Sequence, residues 1–208
     1  MKTPSQTLTP ITMSVDEFLR WEDEDVHAEL VGNQVRFQMP VSRIHQDCNS
    51  FLMTVVKLWV ERHAPGSVVY HPPFAVKLTL PSGEQQVREP DLLVILPEHI
   101  ERLQRTYCDG APDLVVEIVS KESRRIDRGE KFQVYAAAGV PEYWVIDPER
   151  THAEFAQLGA DGAYQIAFAG DSGVYTSRVL DGFWLRVEWL WRQPPVWEVL
   201  KAWGWVNP

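Results

Sequence analysis

The spacing of apolar positions predicts helices in the first third of the chain. After Ser42, apolar side chains recur at steps of three and four residues as far as Pro65-Gly66, which predicts one long amphipathic helix. Earlier, Ser14-Val15-Asp16-Glu17 has the form of a capping box and predicts a short helix. Between these two helices, Gly32-Asn33 separates two short apolar runs and predicts a β-hairpin.

The rest of the chain is dominated by short apolar runs bounded by turn residues, which predict strands. We expect strands at 68–70, 74–80, 87–96 (interrupted at Pro90), 113–120, 142–147, 152–158, 164–169 and 173–178. A helix is expected at 123–138, so the strands on either side of it should be parallel and joined by a right-handed crossover. The order of elements predicts an α/β fold, a mixed sheet with helices on its faces. We expect a flexible N-terminus over 1–13 and a single domain over 14–208.

Composition narrows the class of protein without naming a function. The 208 residues are 45% hydrophobic, typical of a globular protein, and carry a net charge of −9, which excludes a strongly basic protein that binds duplex nucleic acid over its whole surface. The two cysteines do not form a C-x-x-C pair, so neither a cysteine-rich zinc site nor a disulfide scaffold is expected. The sequence shows no signal peptide or transmembrane run, and we expect a reduced, cytoplasmic protein.

Glu117 is the most informative candidate residue, because after Asp113, the first residue, it is the one charged side chain in the strand predicted at 113–120. A carboxylate buried in such a strand is unfavourable unless it is paired or binds a cation. It is therefore either a metal-binding or catalytic residue, or a carboxylate satisfied by a structural Arg or Lys. Asp91, which follows Pro90 and opens another apolar run, strengthens the metal hypothesis, since two carboxylates on neighbouring strands suit Mg²⁺.

Three polar residues of the following helix are spaced so that they share one face: Asp127, Lys131 and Tyr135. If that face lies over the strand ends, Lys131 can orient a water molecule or stabilise charge on a phosphoryl group. Alternatively, Asp127 and Lys131 form an ordinary surface ion pair that contributes little.

Together these motifs resemble the PD-(D/E)xK nuclease superfamily and, within it, the Uma family of restriction endonucleases. The resemblance covers about residues 14 to 190. Its fullest part is the run Ala111-Pro112-Asp113-Leu114-Val115-Val116-Glu117, then Asp127, Glu130-Lys131 and Tyr135, then Gly139 to Trp144 and Asp147-Pro148.

The resemblance implies a restriction-endonuclease-like core with extra strands at the C-terminal end. It implies that Asp91 and Glu117 bind a divalent metal, Mg²⁺ or Mn²⁺, and that Glu29 is a further acidic residue near the site. His45, at the start of the long helix, would bind phosphate or a water on the metal. The alternative for His45 is an exposed residue of the first helical turn.

One position departs from the superfamily motif. The Lys expected two residues after the Glu is replaced by Val119, which cannot stabilise charge. Lys131, moved to the following helix, is the expected replacement, with Tyr135 beside it. Lys121 is a second candidate, but it lies past the end of the strand and is expected to be solvated.

Two further features leave alternatives open. The segment from Lys121 to Lys131 carries more basic than acidic residues, which indicates either a rim that faces phosphates or a solvated helix face. Six of the nine tryptophans lie from Trp184 onward. We expect this tail to pack on the sheet or to form a dimer contact, rather than to stack on bases.

The sequence therefore predicts a metal-dependent endonuclease that hydrolyses phosphodiester bonds in nucleic acid, with DNA the expected substrate and a homodimer the expected state. Asp91 and Glu117 would hold the metal while water attacks phosphorus, assisted by Lys131. Two alternatives remain open: a non-catalytic binding or scaffold module that retains the fold, and a metal-dependent hydrolase of a small phosphorylated substrate.

Overall fold

Two β-sheets and a long helix form the body of the protein. The computed structural model describes residues 10–21, 27–121 and 123–207. The strands in chain order are Ala28–Val31 (β1), Gln34–Phe37 (β2), Val68–Tyr70 (β3), Ala75–Thr79 (β4), Gln85–Arg88 (β5), Leu92–Ile95 (β6), Tyr107–Asp109 (β7), Leu114–Ile118 (β8), Glu142–Asp147 (β9), His152–Leu158 (β10), Tyr164–Gly170 (β11), Val174–Thr176 (β12) and Trp184–Arg186 (β13). The α-helices are Val15–Leu19 (α1), Arg43–His63 (α2), Phe132–Ala137 (α3), Trp189–Arg192 (α4) and Val196–Ala202 (α5). A 3-10 helix spans Pro97–Arg102, and a π-helical turn, Ile126–Lys131, leads into α3.

The two sheets have different roles in building the site. The larger sheet has the order β11-β10-β9-β8-β6-β3, with β8 and β9 parallel and the other pairs antiparallel. The smaller sheet has the order β2-β1-β5-β4-β7, and β12 and β13 form a separate pair. This arrangement confirms the predicted α/β class and the parallel pairing of the strands on either side of the 123–138 helix.

The helix caps and the hairpin turn predicted from the sequence are present in the structure. Ser14 Oγ accepts a hydrogen bond from the Glu17 N–H at 3.3 Å, and the Ser14 N–H donates to Glu17 Oε2 at 2.7 Å, which completes the capping box. Ser42 caps α2 by accepting from the N–H of His45 at 3.3 Å. The Gly32-Asn33 turn joins β1 and β2, and both residues have positive φ, as the two-residue hairpin turn requires.

The strand expected at 87–96 is in fact two strands in different sheets. β5 lies in the smaller sheet and β6 in the larger one, and the chain crosses between them at Glu89-Pro90-Asp91. Pro90 has no N–H to donate to a strand ladder, so it cannot continue either strand. Asp91 is therefore the residue that directly precedes β6. β7, which pairs with β4 in parallel, is a strand that the sequence pattern did not predict.

The main core lies between α2 and the larger sheet. The apolar stripe of α2 is buried against β6, β8 and β9 together with residues of the C-terminal segment. In that segment Trp203 and Trp205 pack on Trp59 of α2, with ring centroids 4.9 and 5.3 Å apart. The tail therefore packs on the body of the protein, whereas Trp197 remains about half exposed.

The N-terminal segment predicted to be flexible falls only partly within the described residues. Residues 1–9 lie outside them. Ile11 O accepts a hydrogen bond from the Val35 N–H at 2.9 Å, and the Met13 N–H donates to Asn33 O at 3.0 Å. None of the helices in the described ranges is long and apolar enough to cross a membrane.

Candidate active site

Asp91, directly before β6, and Glu117, in β8, occupy neighbouring positions, as the two-carboxylate hypothesis requires. β6 and β8 are antiparallel with Leu92 opposite Val116, so the next pair in register is Asp91 and Glu117. Asp91 Oδ2 accepts a hydrogen bond from the Ile118 N–H at 2.6 Å, which fixes the carboxylate against β8. Glu117 is only 3% exposed and Asp91 retains 16% exposure of its side chain, so the pair lies at the boundary between core and solvent.

Lys131 lies at the centre of a buried carboxylate cluster. Its Nζ is 2.9 Å from Glu117 Oε1, 3.1 Å from Glu29 Oε1 and 3.6 Å from Asp127 Oδ1. Asp127 and Lys131 both belong to the π-helical turn, a local widening of the helix that is frequent at functional sites. The face predicted from the spacing of Asp127, Lys131 and Tyr135 thus points at Glu117 and is buried, which excludes the surface ion pair as an interpretation.

The surroundings of Glu117 and Lys131 raise the pKa of both side chains, for different reasons. Burial raises the pKa of Glu117 well above its usual range, and nearby carboxylates raise it further although Lys131 opposes them. Burial lowers the pKa of Lys131, but the three surrounding carboxylates outweigh burial and raise it well above its usual value. This raised pKa keeps Lys131 protonated at neutral pH, which suits charge stabilisation.

Tyr135 and His45 each hold one of the two paired carboxylates. The Tyr135 hydroxyl donates to Glu117 Oε1 at 2.8 Å, and burial raises the pKa of Tyr135 well above its usual value, so the hydroxyl remains a donor. His45 Nε2 lies 3.1 Å from Asp91 Oδ1. The exposed first-turn alternative for His45 is wrong, because the residue is 5% exposed. His45 Nδ1 is buried and has no hydrogen-bond partner among the described residues.

Glu29 lies near the site, and Lys131 joins it to the Glu117 cluster. From β1 it accepts a hydrogen bond from Arg88 Nη1 at 3.1 Å and one from the Glu89 N–H at 3.3 Å. Burial raises the pKa of Glu29, but Lys131 and Arg88 together outweigh burial and lower it. Glu29 is therefore the ionised partner of Lys131, while Glu117 holds its proton more readily.

Three residues around the site were not predicted from the sequence: Arg88, Glu89 and His27. Arg88 is fully buried and also donates to Glu130 Oε1 at 2.7 Å, and Glu89 is bonded to His27 at 3.0 Å. The available signal was the charged run Arg88-Glu89 directly before Pro90-Asp91, at the end of an apolar strand. It could not be interpreted, because the partners of Arg88 and Glu89 come from distant segments.

The position of the missing superfamily Lys is apolar. Val119 is 1% exposed and packs in the core cluster on the Tyr135 side of the sheet. Lys121 is exposed, as expected, and lies beyond the end of β8. Among the described residues, Lys131 is the lysine that contacts Glu117.

The donor set around Asp91 and Glu117 fits a hard divalent cation. Glu117 Oε1 accepts a hydrogen bond from the Tyr135 hydroxyl and pairs with Lys131 Nζ. The other oxygen, Oε2, has no hydrogen bond from the described residues. No group of three or more His, Cys, Asp or Glu side chains within those residues forms a ready-made metal cage. Two carboxylates completed by water or substrate oxygens are what Mg²⁺ accepts, so the residues present fit Mg²⁺ or Mn²⁺ better than a metal that needs a full protein cage.

The chain is similar to known proteins in sequence and in fold. The sequence model described as "Uma2: Putative restriction endonuclease" matches residues 15–188. The fold is similar to the crystal structure of "a putative nuclease belonging to DUF820 from Anabaena variabilis ATCC 29413", with a TM-score of 0.72 and 16% sequence identity over 86% of this chain and 98% of that chain. At this identity the likeness establishes the fold alone. No curated protein matches the chain.

Proposed function

This chain belongs to the Uma2 family, and from that membership we propose that it is a metal-dependent endonuclease that hydrolyses phosphodiester bonds in nucleic acid, with DNA as the expected substrate. Membership confirms the resemblance read from the sequence motifs. The observation that carries the proposal is the Asp91 and Glu117 pair, next to each other in register, with Lys131 Nζ 2.9 Å from Glu117. This arrangement supplies the superfamily's two acids and one cation, with the cation coming from the helix instead of the strand.

Asp91 and Glu117 are the residues that would hold the metal. A Mg²⁺ or Mn²⁺ ion there supplies Lewis-acid polarisation of the phosphoryl oxygens and lowers the pKa of the attacking water. His45 and the Ile118 N–H orient Asp91, while Tyr135 orients Glu117. These bonds keep both carboxylates in fixed positions before substrate arrives, which is the preorganisation that electrostatic catalysis requires.

Lys131 is proposed to stabilise the negative charge that develops on the phosphoryl group. Its raised pKa keeps the ammonium protonated, and its contacts with Glu117 and Glu29 hold it at the edge of the carboxylate pair. Val119 leaves no cation on the strand itself, so removal of Lys131 should leave the transition state without this support.

Calorimetry with Mg²⁺ and with Mn²⁺ tests the proposed metal site in the wild type, Glu117→Gln and the control Glu61→Gln. Glu61 is an exposed residue of α2, so its variant removes the same charge away from the site. We expect binding by the wild type and the control but not by Glu117→Gln. Metal-dependent cleavage of plasmid DNA should fall by about 10³-fold or more in Glu117→Gln, since a misplaced ion forfeits several kcal/mol of charge stabilisation.

Other outcomes point to the alternative functions. Absence of metal binding by the folded wild type, even with an oligonucleotide present, would support a non-catalytic module that retains the fold. Metal-dependent hydrolysis of a mononucleotide without cleavage of any polymer would instead support a hydrolase of small phosphorylated substrates.

The homodimer is a separate part of the proposal. Four exposed apolar side chains lie close together in the sequence, from the end of β2 to the first turn of α2: Phe37, Met39, Val41 and Ile44. Several large apolar side chains exposed on one short segment are typical of a contact between proteins. Light scattering during gel filtration measures the mass directly, and a monomeric mass at micromolar concentration would contradict the dimer.

A further inference from the structure

A basic depression lies beside the helical segment that carries Lys131. It has a volume of about 600 Å³, is open to solvent, and is lined by Lys121, Arg124, Arg125, Arg128, Gly129 and Arg150. Five of these six residues are cations, on a chain whose net charge is −9. The depression therefore concentrates positive charge that the rest of the molecule lacks.

Asp147 holds two of the arginines in fixed positions. This fully buried residue at the end of β9 accepts from Arg124 Nε at 2.7 Å and from Arg128 Nη1 at 3.2 Å. Arg128 Nε also donates to Glu154 at 3.1 Å. Both guanidinium groups are thus oriented by the protein and still have N–H groups that these bonds do not use. An oriented guanidinium loses less side-chain entropy when it binds phosphate.

The charge in the depression is not fully compensated. Arg124 and Arg128 pair with carboxylates of Asp147, Glu149 and Glu154. Arg125 and Arg150 are exposed and have no acidic side chain within salt-bridge distance among the described residues. At least two cations are therefore available to an anion from outside.

The depression lies a short stretch of chain away from the candidate active site. Lys121 follows Glu117 by four residues, and four residues span at most about 14 Å even when fully extended, so the two backbones are no farther apart than that. Phosphates of one DNA strand are spaced at about 3.4 Å of helix axis. A backbone cut at Glu117 would thus have other phosphates within reach of the arginines.

We propose that this depression binds phosphodiester groups of the nucleic-acid backbone that flank the cleaved bond. The inference rests on the proposed nuclease function. Arginine forks recognise phosphate by paired N–H···O bonds, and an open surface with several cations suits a polymer with many phosphates. A small phosphorylated substrate also carries phosphate groups, so the test must distinguish binding of a nucleic-acid backbone from binding of a small molecule.

Binding without cleavage gives the direct test. The pocket variant Arg125→Gln/Arg150→Gln is compared with the control Lys57→Gln/Arg105→Gln, which removes two exposed cations outside the depression. Fluorescence anisotropy measures binding of a labelled 20-base-pair DNA duplex and of its single strand, with divalent metal withheld, between 50 and 300 mM salt. Inorganic pyrophosphate and ADP serve as competitors.

The expected result is an affinity loss of about tenfold or more in the pocket variant, for duplex or single strand, with the salt slope reduced by about 2. The control should keep the wild-type slope. Equal behaviour of the two variants would overturn the proposal, and so would an absence of DNA binding by the wild type. Binding of ADP or pyrophosphate that depends on Arg125 and Arg150 without binding of either oligonucleotide would also overturn it. A failure of nuclease function alone would appear as intact, pocket-dependent DNA binding without metal-dependent cleavage.

Discussion

Glu117 and Glu142 are buried carboxylates on adjacent parallel strands, and the protein satisfies them in opposite ways. Glu142, at the start of β9, is fully buried and accepts five hydrogen bonds from neutral donors. These come from Trp144 Nε1 (2.7 Å), the Tyr175 hydroxyl (2.8 Å), the Ser177 hydroxyl (3.1 Å) and the N–H groups of Arg178 (2.8 Å) and Val179 (3.0 Å). Glu142 thereby ties the central sheet to the chain around β12.

Glu117 has a much poorer set of partners. One hydroxyl, that of Tyr135, and one ammonium, that of Lys131, both meet Oε1. The surrounding carboxylates of Asp91, Glu29 and Asp127 are close enough to raise its pKa. More acids than cations thus share a small volume that excludes water, and this is unfavourable for folding.

The difference shows that burial of an acid does not by itself indicate a functional site. A carboxylate saturated by neutral donors is a structural connection, because it neither needs nor accommodates another ligand. A carboxylate crowded by other acids, with an oxygen left without a donor, is arranged for a cation or for proton exchange.

The largest expected effect is on stability, at Glu142. Substitution Glu142→Leu removes the acceptor that five donors share. The Val179 N–H keeps Ser177 Oγ at 3.2 Å, so four donors lose their acceptor, and each unsatisfied buried donor costs about 1–3 kcal/mol. Because some donors will relax toward water, we expect a loss of about 4 kcal/mol in the free energy of unfolding. Urea titration followed by tryptophan fluorescence measures it. A loss below about 1 kcal/mol would mean that the five bonds are not what holds this region together.

The next effect is on stability at Lys131, and it should depend on pH. Substitution Lys131→Met removes the cation that Glu117, Glu29 and Asp127 share. Loss of one partner of a buried pair costs about 3 kcal/mol when the remaining charge persists. At pH 8 the carboxylates are ionised and the full loss is expected. At pH 5 they can take up protons, so the loss should shrink.

Urea titrations at pH 5, 6.5 and 8 measure this dependence, with Lys57→Met as an exposed control. An equal loss at every pH would show that Lys131 acts through packing of its aliphatic chain. The cluster at Glu117 would then have a structural role like that of Glu142, and the charges around Glu117 would contribute little to stability.

The sequence allowed prediction of features encoded over a few residues. The capping box at Ser14, the hairpin at Gly32-Asn33 and the helix face of Lys131 and Tyr135 all depend on spacing within one element. Glu117 stood out because it interrupts an apolar strand. Glu142 did not, since a Glu at the first position of a strand resembles an ordinary turn residue.

What was missed depends on contacts between distant segments. The donors to Glu142 lie about 33 to 37 residues downstream, apart from Trp144, and no local pattern connects them. In the same way, the partners of Arg88 are Glu29 of β1 and Glu130 of the π-helical turn, which are far from β5 in the sequence and lie beside it only in the folded protein. Sheet membership is also non-local, which is why the run around Pro90 was predicted as one strand.

A smaller effect of opposite sign is expected at Glu117. In the folded wild type the pKa of Glu117 is raised above its value in the unfolded chain. At any pH between these two pKa values, Glu117 is protonated in the folded protein and ionised in the unfolded chain. Stability therefore falls as pH rises through that window. Glu117→Gln cannot titrate and should be about 1 kcal/mol more stable than the wild type at pH 8, with the gain vanishing toward pH 4. Urea titrations across this range would contradict the distinction if Glu117→Gln were less stable than the wild type at pH 8.

The smallest effects come from a matched pair of tyrosines. Tyr135 and Tyr175 are both buried, and each donates to the Oε1 atom of its glutamate at 2.8 Å. Substitution of either by Phe should cost roughly 0.5–1.5 kcal/mol of stability for the bond to its glutamate, and Tyr175→Phe also removes the bond that the Tyr175 hydroxyl accepts from Gln157 Nε2 at 3.2 Å. Only Tyr135→Phe should also lower metal-dependent cleavage per folded molecule, by about tenfold, because it frees the carboxylate proposed to hold the metal. Cleavage rates corrected for the folded fraction measure this, and an equal drop in Tyr175→Phe would mean that the two carboxylates do not have separate roles.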